Sequence, residues 1–420
     1  MSALSIRVHG HVEPGYEPVA EEFERNFSER GEVGAACAIY HHGKPVVDIW
    51  GGLRHAAANA PWEEDTLLCV FSVSKGMAAA TMAVAHSRGL FDLDQPVARY
   101  WPEFGQNGKA EITVRQLFSH QAGLCCVDEP LNPRKISDPD LMAAILARQR
   151  PAWKPGTRCG YHAFTLGWYQ SELLRRIDSQ HRTLGRYFAD ELAKPLGAEF
   201  YFAVPAGVDE KRIALLTSLS KPGLLFHMRE LPKGFVPALF TPFSLTRRTL
   251  MNPKLRGPAD LCDPQWRKLE IPSANGVGQV RAVARVYGSL STGGTELGIT
   301  AKTLAELKAS PRLPSKGDRD LVLKMPMGYA FGFSKPSLAF PYGSSDRTFG
   351  ALGAGGAAGF ADPDAKIGFA YASNKMGYQI CNDPRERALR DALYASLAMM
   401  ERARDFAASG GRNVPSRPSI

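Results

Sequence analysis

Long apolar runs are absent from this 420-residue sequence. None approaches the roughly 18 residues that a membrane-spanning helix needs, and the first residues, MSALSIRVHGHVEPGYEP, lack the basic and apolar regions of a signal peptide. The seven cysteines are odd in number and include no Cys-x-x-Cys pair. This favours free thiols in a reducing compartment, so the sequence predicts a cytoplasmic protein with no membrane span.

A strong charge of one sign is also missing. Lys and Arg total 51 against 42 Asp and Glu, a formal net charge of +9. The basic residues are scattered and form no dense stripe, so no nucleic-acid partner is expected. Hydrophobic residues make up 44% of the chain, enough for a large buried core rather than a disordered chain.

Several well-known catalytic motifs are lacking. No Gly-x-Ser-x-Gly occurs, which excludes the nucleophile elbow of α/β-hydrolases. No His-Glu-x-x-His, zinc-spaced Cys/His cluster or Gly-x-x-x-x-Gly-Lys-Ser/Thr loop is present either. No Gly-x-Gly-x-x-Gly opens a helix after a strand. The sequence therefore predicts neither a metal nor an organic cofactor.

Strand patterns lie near both ends of the chain, with helices between them. Residues 34–51 have two β-rich runs around His42-Gly43-Lys44, and a second pair, 359–361 and 366–373, flanks Asp362-Pro363-Asp364. A long helix is predicted at about 384–408. The pattern indicates an α+β fold, with an antiparallel sheet built from both chain ends, flanked by helices, and a mostly helical region inserted in the middle.

This pattern also predicts the division of the chain. One catalytic domain is expected, preceded by a short arm and followed by a flexible tail. The predicted parts are an N-terminal arm (1–20), a domain (21–410) made of an α/β part (21–75 and 278–410) and a helical and loop part (76–277), and the tail (411–420).

One Ser-x-x-Lys tetrad has a chemical logic of its own. Ser72 and Lys75 stand three residues apart at the start of an Ala/Met-rich segment that predicts a buried helix, so both side chains share one helix face. A desolvated lysine loses its proton readily and can activate a hydroxyl nucleophile. The alternative is an N-capping serine followed by an exposed lysine. A second copy, Ser218 to Lys221, runs into Pro222-Gly223, which cannot continue a helix.

Four sequence elements carry a family resemblance. They are FSVSKGM, ITVRQLFSHQAGL, PGTRCGYHA and GAGGAAGFADPDAKIGFAYASN, in that order. Together they resemble the serine β-lactamase-like superfamily, most closely its branch of bacterial carboxylesterases related to class C β-lactamases, the family VIII esterases. The resemblance extends from about residue 20 to residue 400. It implies a β-lactamase/transpeptidase-like fold.

The resemblance assigns the proton-transfer residues. Ser72 matches the acylated nucleophile, and Lys75 matches the lysine that shares its proton. Tyr161 matches the tyrosine of the Tyr-x-Asn motif, but Ala163 replaces the asparagine. This departure weakens a β-lactamase reading more than an esterase reading. Ser74 is a candidate hydrogen-bond partner of Lys75 or Tyr161.

A glycine-rich stretch matches the Lys-Thr-Gly element of the family. The match falls on Gly353-Ala354-Gly355, followed by Gly356, so the lysine and threonine are missing. The usual anchor for a substrate carboxylate is then absent, which argues against penicillins and cell-wall peptides. The resemblance implies an oxyanion hole made by the backbone N–H groups of Ser72 and Gly356.

Residues 221–275 are rich in proline and large apolar side chains, as functional loops often are. We expect this segment to be irregular and to line the acyl or alcohol pocket. Its apolar character favours uncharged, moderately hydrophobic esters. The predicted substrate-binding residues are Phe240, Gly353, Ala354 and Gly355, and the apolar set is Leu224, Leu225, Phe226, Phe235, Leu239, Phe240 and Phe243.

The sequence therefore predicts a serine hydrolase whose partner is a small-molecule ester of short to medium acyl chain. One alternative keeps the same site but makes the chain a transacylase, an amide hydrolase or a weak β-lactamase. The other is a non-catalytic binding protein that retains the fold. His120 and His162 are interpreted as structural, and the oligomeric state is left open.

Overall fold

The computed structural model describes residues 7–217 and 227–408. The strands among them are β1 (Val8–Val12), β2 (Gly34–His41), β3 (Lys44–His55), β4 (Ala60–Pro61), β5 (Leu68–Cys69), β6 (Phe200–Tyr201), β7 (Val277–Gly278), β8 (Gly328–Ala330), β9 (Phe333–Lys335), β10 (Phe349–Leu352), β11 (Ala358–Asp362) and β12 (Ile367–Ser373). Strands from both chain ends form one antiparallel sheet in the order β1-β3-β2-β12-β11-β10-β9-β8, with β4 paired to β3. A small sheet has the order β5-β7-β6.

Helices cover both faces of this sheet. Further helices occupy the part of the chain between the N-terminal and the C-terminal strands, which confirms the predicted α+β class. The helices are Glu17–Glu29, Ser74–Ser87, Val114–Phe118, Pro133–Ile136, Pro139–Arg148, Thr165–Ile177, Leu184–Phe188, Lys194–Leu196, Phe235–Phe240, Leu245–Leu250, Pro264–Arg267, Val280–Ser291, Ala301–Lys308 and Pro384–Ala408.

The sheet separates two hydrophobic cores. Because side chains alternate along a strand, Ala38 and Ala370 belong to the core on one face, whereas Ile39 and Phe369 belong to the core on the other. The small side chains let the helix Val280–Ser291 lie close to β12. A Cβ on Gly368 would lie only 2.1 Å from a backbone nitrogen of that helix, so glycine is required at this contact.

The helix Ser74–Ser87, hereafter the central helix, is buried almost along its whole length. Every residue from Ser74 to His86 is buried. A helix that is apolar on all sides belongs in a protein interior, and the predicted buried helix is confirmed. Its first turn therefore holds a lysine, Lys75, in a place where water does not reach it.

The N-terminal segment is less separate than expected. Residues Val8–Val12 pair with β3, and a helix begins at Glu17, although residues 1–20 were predicted to be an arm. The polar sequence Val-His-Gly-His-Val gave little strand signal because this is an edge strand whose middle side chains are exposed. The predicted tail, 411–420, lies outside the described residues.

The prediction of an irregular segment at 221–275 was only partly right. Its described part, 227–275, contains the short helices Phe235–Phe240, Leu245–Leu250 and Pro264–Arg267. The last begins with a proline, a residue that fits the first turn of a helix. Across the described residues, the helices are either too short or too polar to cross a bilayer.

Candidate active site

Ser72 lies in a short 3-10 turn, Phe71–Val73, that leads directly into the central helix. Phe71 has a φ of 49°, a left-handed backbone that is strained for a bulky residue. Ser74 Oγ donates to the Phe71 carbonyl and accepts the Gly276 N–H at 2.9 Å. Ser74 thus bonds to this turn instead of to Lys75 or Tyr161, so that candidate pairing was wrong.

Lys75 is only 3% exposed. Its Nζ lies 3.2 Å from Ser72 Oγ, 2.8 Å from the Ala163 carbonyl and 2.9 Å from the Ser273 carbonyl. Burial lowers the pKa of Lys75 well below its usual value of 10.5. The alternative of an exposed lysine in the first helical turn is therefore excluded.

These three contacts have a direct consequence for the neutral amine. A carbonyl oxygen can only accept a hydrogen bond, so the Ala163 and Ser273 carbonyls take the two N–H groups of a neutral Lys75. The nitrogen lone pair then faces Ser72 Oγ. The arrangement can remove the hydroxyl proton, which a charged ammonium could not do.

The Tyr161 ring lies beside the lysine amine. Lys75 Nζ sits 4.4 Å from the centroid of the Tyr161 ring. Burial raises the pKa of the Tyr161 phenol, and a hydrogen bond with Ser72 opposes this rise. The structure thus brings Ser72, Lys75 and Tyr161 together, although they come from two segments almost 90 residues apart in the chain.

Two histidines pack behind the tyrosine. The His120 ring lies 5.4 Å from the Tyr161 ring, and His120 Nδ1 accepts the His162 N–H at 3.0 Å. Burial lowers the pKa of both, to about 3 for His162. Neither ring nitrogen of His162 has a partner among the described residues. Both side chains are neutral at ordinary pH.

The predicted oxyanion turn, residues 353–356, follows β10. A Cβ on Gly353 would lie 2.5 Å from the Val70 carbonyl, and the Gly353 N–H donates to the Ala357 carbonyl at 2.7 Å. Gly356 has a φ of 97° and abuts the Asp383 carboxylate. The start of the turn thus faces the strand end that precedes Ser72, while its end faces the terminal helix.

A buried arginine holds this turn in place. Arg385 Nη2 donates to the Gly355 carbonyl at 3.0 Å, and its guanidinium pairs with Asp383 at 2.9 Å and Glu32 at 3.1 Å. Sequence reasoning missed this residue because Asn-Asp-Pro-Arg-Glu has the composition of an exposed helix start. Its two carboxylates leave it no free charge for a substrate.

The predicted substrate residue Phe240 is 70% exposed. Its helix begins at Phe235, and that side chain packs in a cluster with Tyr161, Met325 and Tyr329. The structure therefore packs Phe235, rather than Phe240, against the same cluster that Tyr161 packs against. The second tetrad, Ser218 to Lys221, and the apolar Leu224, Leu225 and Phe226 lie outside the described residues.

The family can be decided by comparison with known proteins. The family model described as Beta-lactamase matches residues 20–394. The chain belongs to the Beta-lactamase family. This confirms the family resemblance that the four sequence elements indicated.

Relatives within the Beta-lactamase family are named as esterases. The "Esterase/beta-lactamase LipL" of Mycobacterium tuberculosis is 33% identical over 384 residues, which cover 88% of this chain and 83% of that protein. A crystal structure of a family VIII carboxylesterase is 36% identical with a TM-score of 0.81, covering 93% of this chain and 100% of that one. EstA from Arthrobacter nitroguajacolicus Rue61a is 32% identical with a TM-score of 0.79, covering 93% and 98%.

Proposed function

We propose that the chain is a carboxylesterase that hydrolyses uncharged esters of short to medium acyl chain through an acyl-enzyme on Ser72. The observation that supports this function most strongly is the environment of Lys75. Two carbonyls accept its N–H groups and burial lowers its pKa well below the usual value, which favours a base 3.2 Å from Ser72 Oγ. The names of two similar proteins, the esterase/β-lactamase LipL and the family VIII carboxylesterase, support the same reaction class.

The proton path follows from this geometry. Lys75 takes the Ser72 proton as Oγ attacks the ester carbonyl. The Tyr161 phenol, whose pKa burial raises, stays protonated and gives its proton to the leaving alkoxide. Lys75 then returns a proton to Tyr161. Water then attacks the acyl group and gives one proton to Lys75, the carboxylic acid leaves, and Ser72 Oγ takes that proton back.

The oxyanion is held by two backbone N–H groups in this proposal. Ser72 supplies the first, and the turn 353–356 supplies the second, at Gly356 by the sequence match. Gly353 is excluded because its N–H already bonds to Ala357, and Ala354 joins Gly356 as a candidate because it adjoins the end of the turn nearest Val70. Each donor lowers the barrier by about 3 kcal/mol.

The surroundings of the site favour uncharged substrates. The helix Phe235–Phe240 carries only apolar side chains, and Phe235 packs in the cluster that holds Tyr161. Arg385, the cation at the turn, is already neutralised by Asp383 and Glu32. We infer that apolar acyl groups bind better than substrates with a free carboxylate.

Hydrolysis of p-nitrophenyl butyrate tests the proposed function. Ser72→Ala should lower kcat at least about a thousandfold, because the nucleophile of a catalytic unit is lost. Ser218→Ala is the matched control, since it removes the serine of the other Ser-x-x-Lys copy. We expect it to keep the wild-type rate. A wild-type rate in Ser72→Ala would overturn the assignment.

One alternative function has a specific observation in its favour. LipL carries a double name, esterase and β-lactamase. Nitrocefin turnover and formation of an ester from added alcohol would reveal lactam hydrolysis and acyl transfer on the same serine. A fluorophosphonate probe separates all of these from a non-catalytic binding protein, which would not be labelled at Ser72.

We propose a cytoplasmic location from the thiols. All seven cysteines, from Cys37 to Cys381, are free, as is usual in a reducing compartment. Cell fractionation followed by immunoblotting tests this, and recovery of the protein in an oxidising compartment would contradict it.

A further inference from the structure

Asp320 carries a carboxylate in the protein interior, on the segment that precedes β8. Its exposed fraction is 0%. Oδ1 accepts the backbone N–H groups of Val322 and Leu323, each at 2.8 Å, and Oδ2 accepts the Tyr329 hydroxyl at 3.0 Å. The backbone N–H of Tyr161 also donates to this carboxylate. Among the described residues, no lysine or arginine pairs with it.

A buried carboxylate costs folding free energy, because it loses its hydration, and hydrogen bonds offset only part of that cost. Among the described residues no cation pairs with Asp320 to offset the rest. Burial raises the pKa of the Asp320 carboxyl, and its four hydrogen-bond donors oppose this rise. Each donor belongs to Tyr161 itself, to Tyr329, whose ring lies near that of Tyr161, or to a residue of a cluster against which Tyr161 packs.

The residues that donate to Asp320 also pack around Tyr161. Val322 packs in a cluster with Tyr161, and Leu323 packs in the neighbouring cluster that also includes it. The Tyr329 ring lies 6.4 Å from the Tyr161 ring, nearly parallel to it. The His120 ring contacts both rings, at 5.4 Å and 4.2 Å. Asp320 thus joins the amide of Tyr161 to the aromatic wall behind it.

We propose that Asp320 is the positioning residue that orients Tyr161 for proton donation to the leaving alcohol. The inference rests on the proposed function, in which Tyr161 is the acid and Lys75 the base. Asp320 itself does not touch the substrate. It fixes the backbone from which the phenol reaches Ser72.

The local charges fit this role. Burial, and with it the Asp320 charge, raises the pKa of the Tyr161 phenol against the opposing hydrogen bond with Ser72. Lys75, His120 and Tyr329 also face Tyr161, while Cys159 and Cys125 face Asp320. A phenol in this setting donates a proton and does not act as a phenolate.

The dependence on the leaving group tests the inference. p-Nitrophenolate leaves without a proton, whereas an ethoxide leaves only if an acid protonates it. Asp320→Asn replaces one of the two carboxylate oxygens with an –NH₂ group, so the four donors, the Tyr161 N–H among them, are left with a single oxygen acceptor. We expect kcat for ethyl butyrate to fall at least about tenfold more than kcat for p-nitrophenyl butyrate.

Three variants make the result specific. Tyr329→Phe removes another donor to Asp320 and leaves the Tyr161 amide paired, so the ratio of the two rates should stay at the wild-type value. Tyr161→Phe should change the ratio in the same direction as Asp320→Asn, and the double variant should add nothing. The fluoride of a fluorophosphonate probe leaves without help from an acid. Labelling of Ser72 by this probe should therefore continue in Tyr329→Phe, in Tyr161→Phe and in the double variant.

The ratio of the two rates separates a failure of the Asp320 positioning role from a failure of the Tyr161 acid role. If Asp320→Asn lowers both rates equally while Tyr161→Phe changes their ratio, the positioning role is overturned and the proposed function stands. If Tyr161→Phe leaves the ratio unchanged, the acid role of the tyrosine fails and the inference with it. Should Asp320→Asn not fold, Asp320→Glu keeps the charge but moves the carboxylate by one methylene group relative to the Tyr161 amide, and an unchanged ratio there would overturn the inference.

Discussion

A single lysine determines the chemistry at the scale of residues. Lys75 is buried beside Ser72, and its two carbonyl partners stabilise the ammonium far less than a carboxylate would. Burial therefore lowers its pKa. In the proposed mechanism the lysine can act as a base, because no carboxylate among the described residues pairs with its amine and stabilises the charged form.

This predicts how the rate depends on pH. The neutral amine is the active form, so kcat/KM for p-nitrophenyl butyrate should rise as Lys75 loses its proton and should level off well below pH 10.5. Lys75→Arg keeps a permanent charge and should lose at least about a thousandfold in kcat. Lys302→Arg, at an exposed lysine, is the control. A plateau reached only above pH 10 would contradict the account.

Some residues of the site were predictable and others were not. Ser72 and Lys75 followed from their spacing at the start of an apolar helix, and Tyr161 followed from a motif. Asp320 and Arg385 had no local signal, because one partner of each, Tyr161 and Glu32, comes from a segment distant in the chain. A buried charge is recognisable only once its partners are known.

At the scale of elements, two helices meet at a glycine beside the site. A Cβ on Gly76 in the central helix would lie 1.8 Å from Tyr287 Oη in the helix Val280–Ser291. That hydroxyl is buried and has no hydrogen-bond partner among the described residues. The close approach fixes the position of the start of the central helix, which carries Lys75, and of the turn before it, which carries Ser72.

We expect Gly76→Ala to lower the free energy of unfolding by about 1–3 kcal/mol through overpacking. Tyr287→Phe alone should leave stability unchanged or raise it, because it removes an unpaired buried hydroxyl. The double variant should recover part of the loss. Urea unfolding measures all three, and a double variant less stable than Gly76→Ala would contradict this packing.

The start of the terminal helix gives a second test at this scale. Arg385→Met removes the cation that pairs with Asp383 and Glu32 in the interior, and should cost about 3–5 kcal/mol. Arg387→Met, two residues along the same helix at an exposed pair, should change stability by less than about 0.5 kcal/mol. Equal losses in thermal unfolding would show that Arg385 is not the buried anchor.

The elements themselves were predicted unevenly. The β2–β3 hairpin, the central helix and the helix Pro384–Ala408 followed from alternation, composition and a closing glycine pair. The edge strand Val8–Val12 was missed because exposed strands lose the alternating pattern. The helix Phe235–Phe240 was missed because its proline and uniform apolarity hide a helical period.

At the scale of the whole molecule, one sheet joins the two chain ends and the helical region closes over its edge. The central strand β12 is buried at every residue. The site lies where this sheet meets the central helix, and burial there lowers the pKa of Lys75, His120 and His162. Protonation of these three bases therefore opposes folding.

Acid should therefore destabilise the molecule. Burial lowers the pKa of His162 to about 3, whereas an unfolded histidine titrates near about 6.5. Below that value the unfolded state binds the extra proton, so unfolding free energy falls as pH falls, by up to about 1.4 kcal/mol per pH unit for this group. His162→Asn should flatten this slope in urea unfolding from pH 7 to pH 5. The exposed His9→Asn should follow wild type, and an unchanged slope in His162→Asn would contradict the account.

The most direct measurement is the mass of the protein during turnover. Rapid acid quenching after mixing with p-nitrophenyl butyrate, followed by peptide mapping, should find one butyryl group on the peptide that contains Ser72. The group should be absent from Ser72→Ala and present in Ser218→Ala. A butyryl group on any other residue, or none while the ester is being hydrolysed, would contradict an acyl-enzyme formed beside the neutral Lys75.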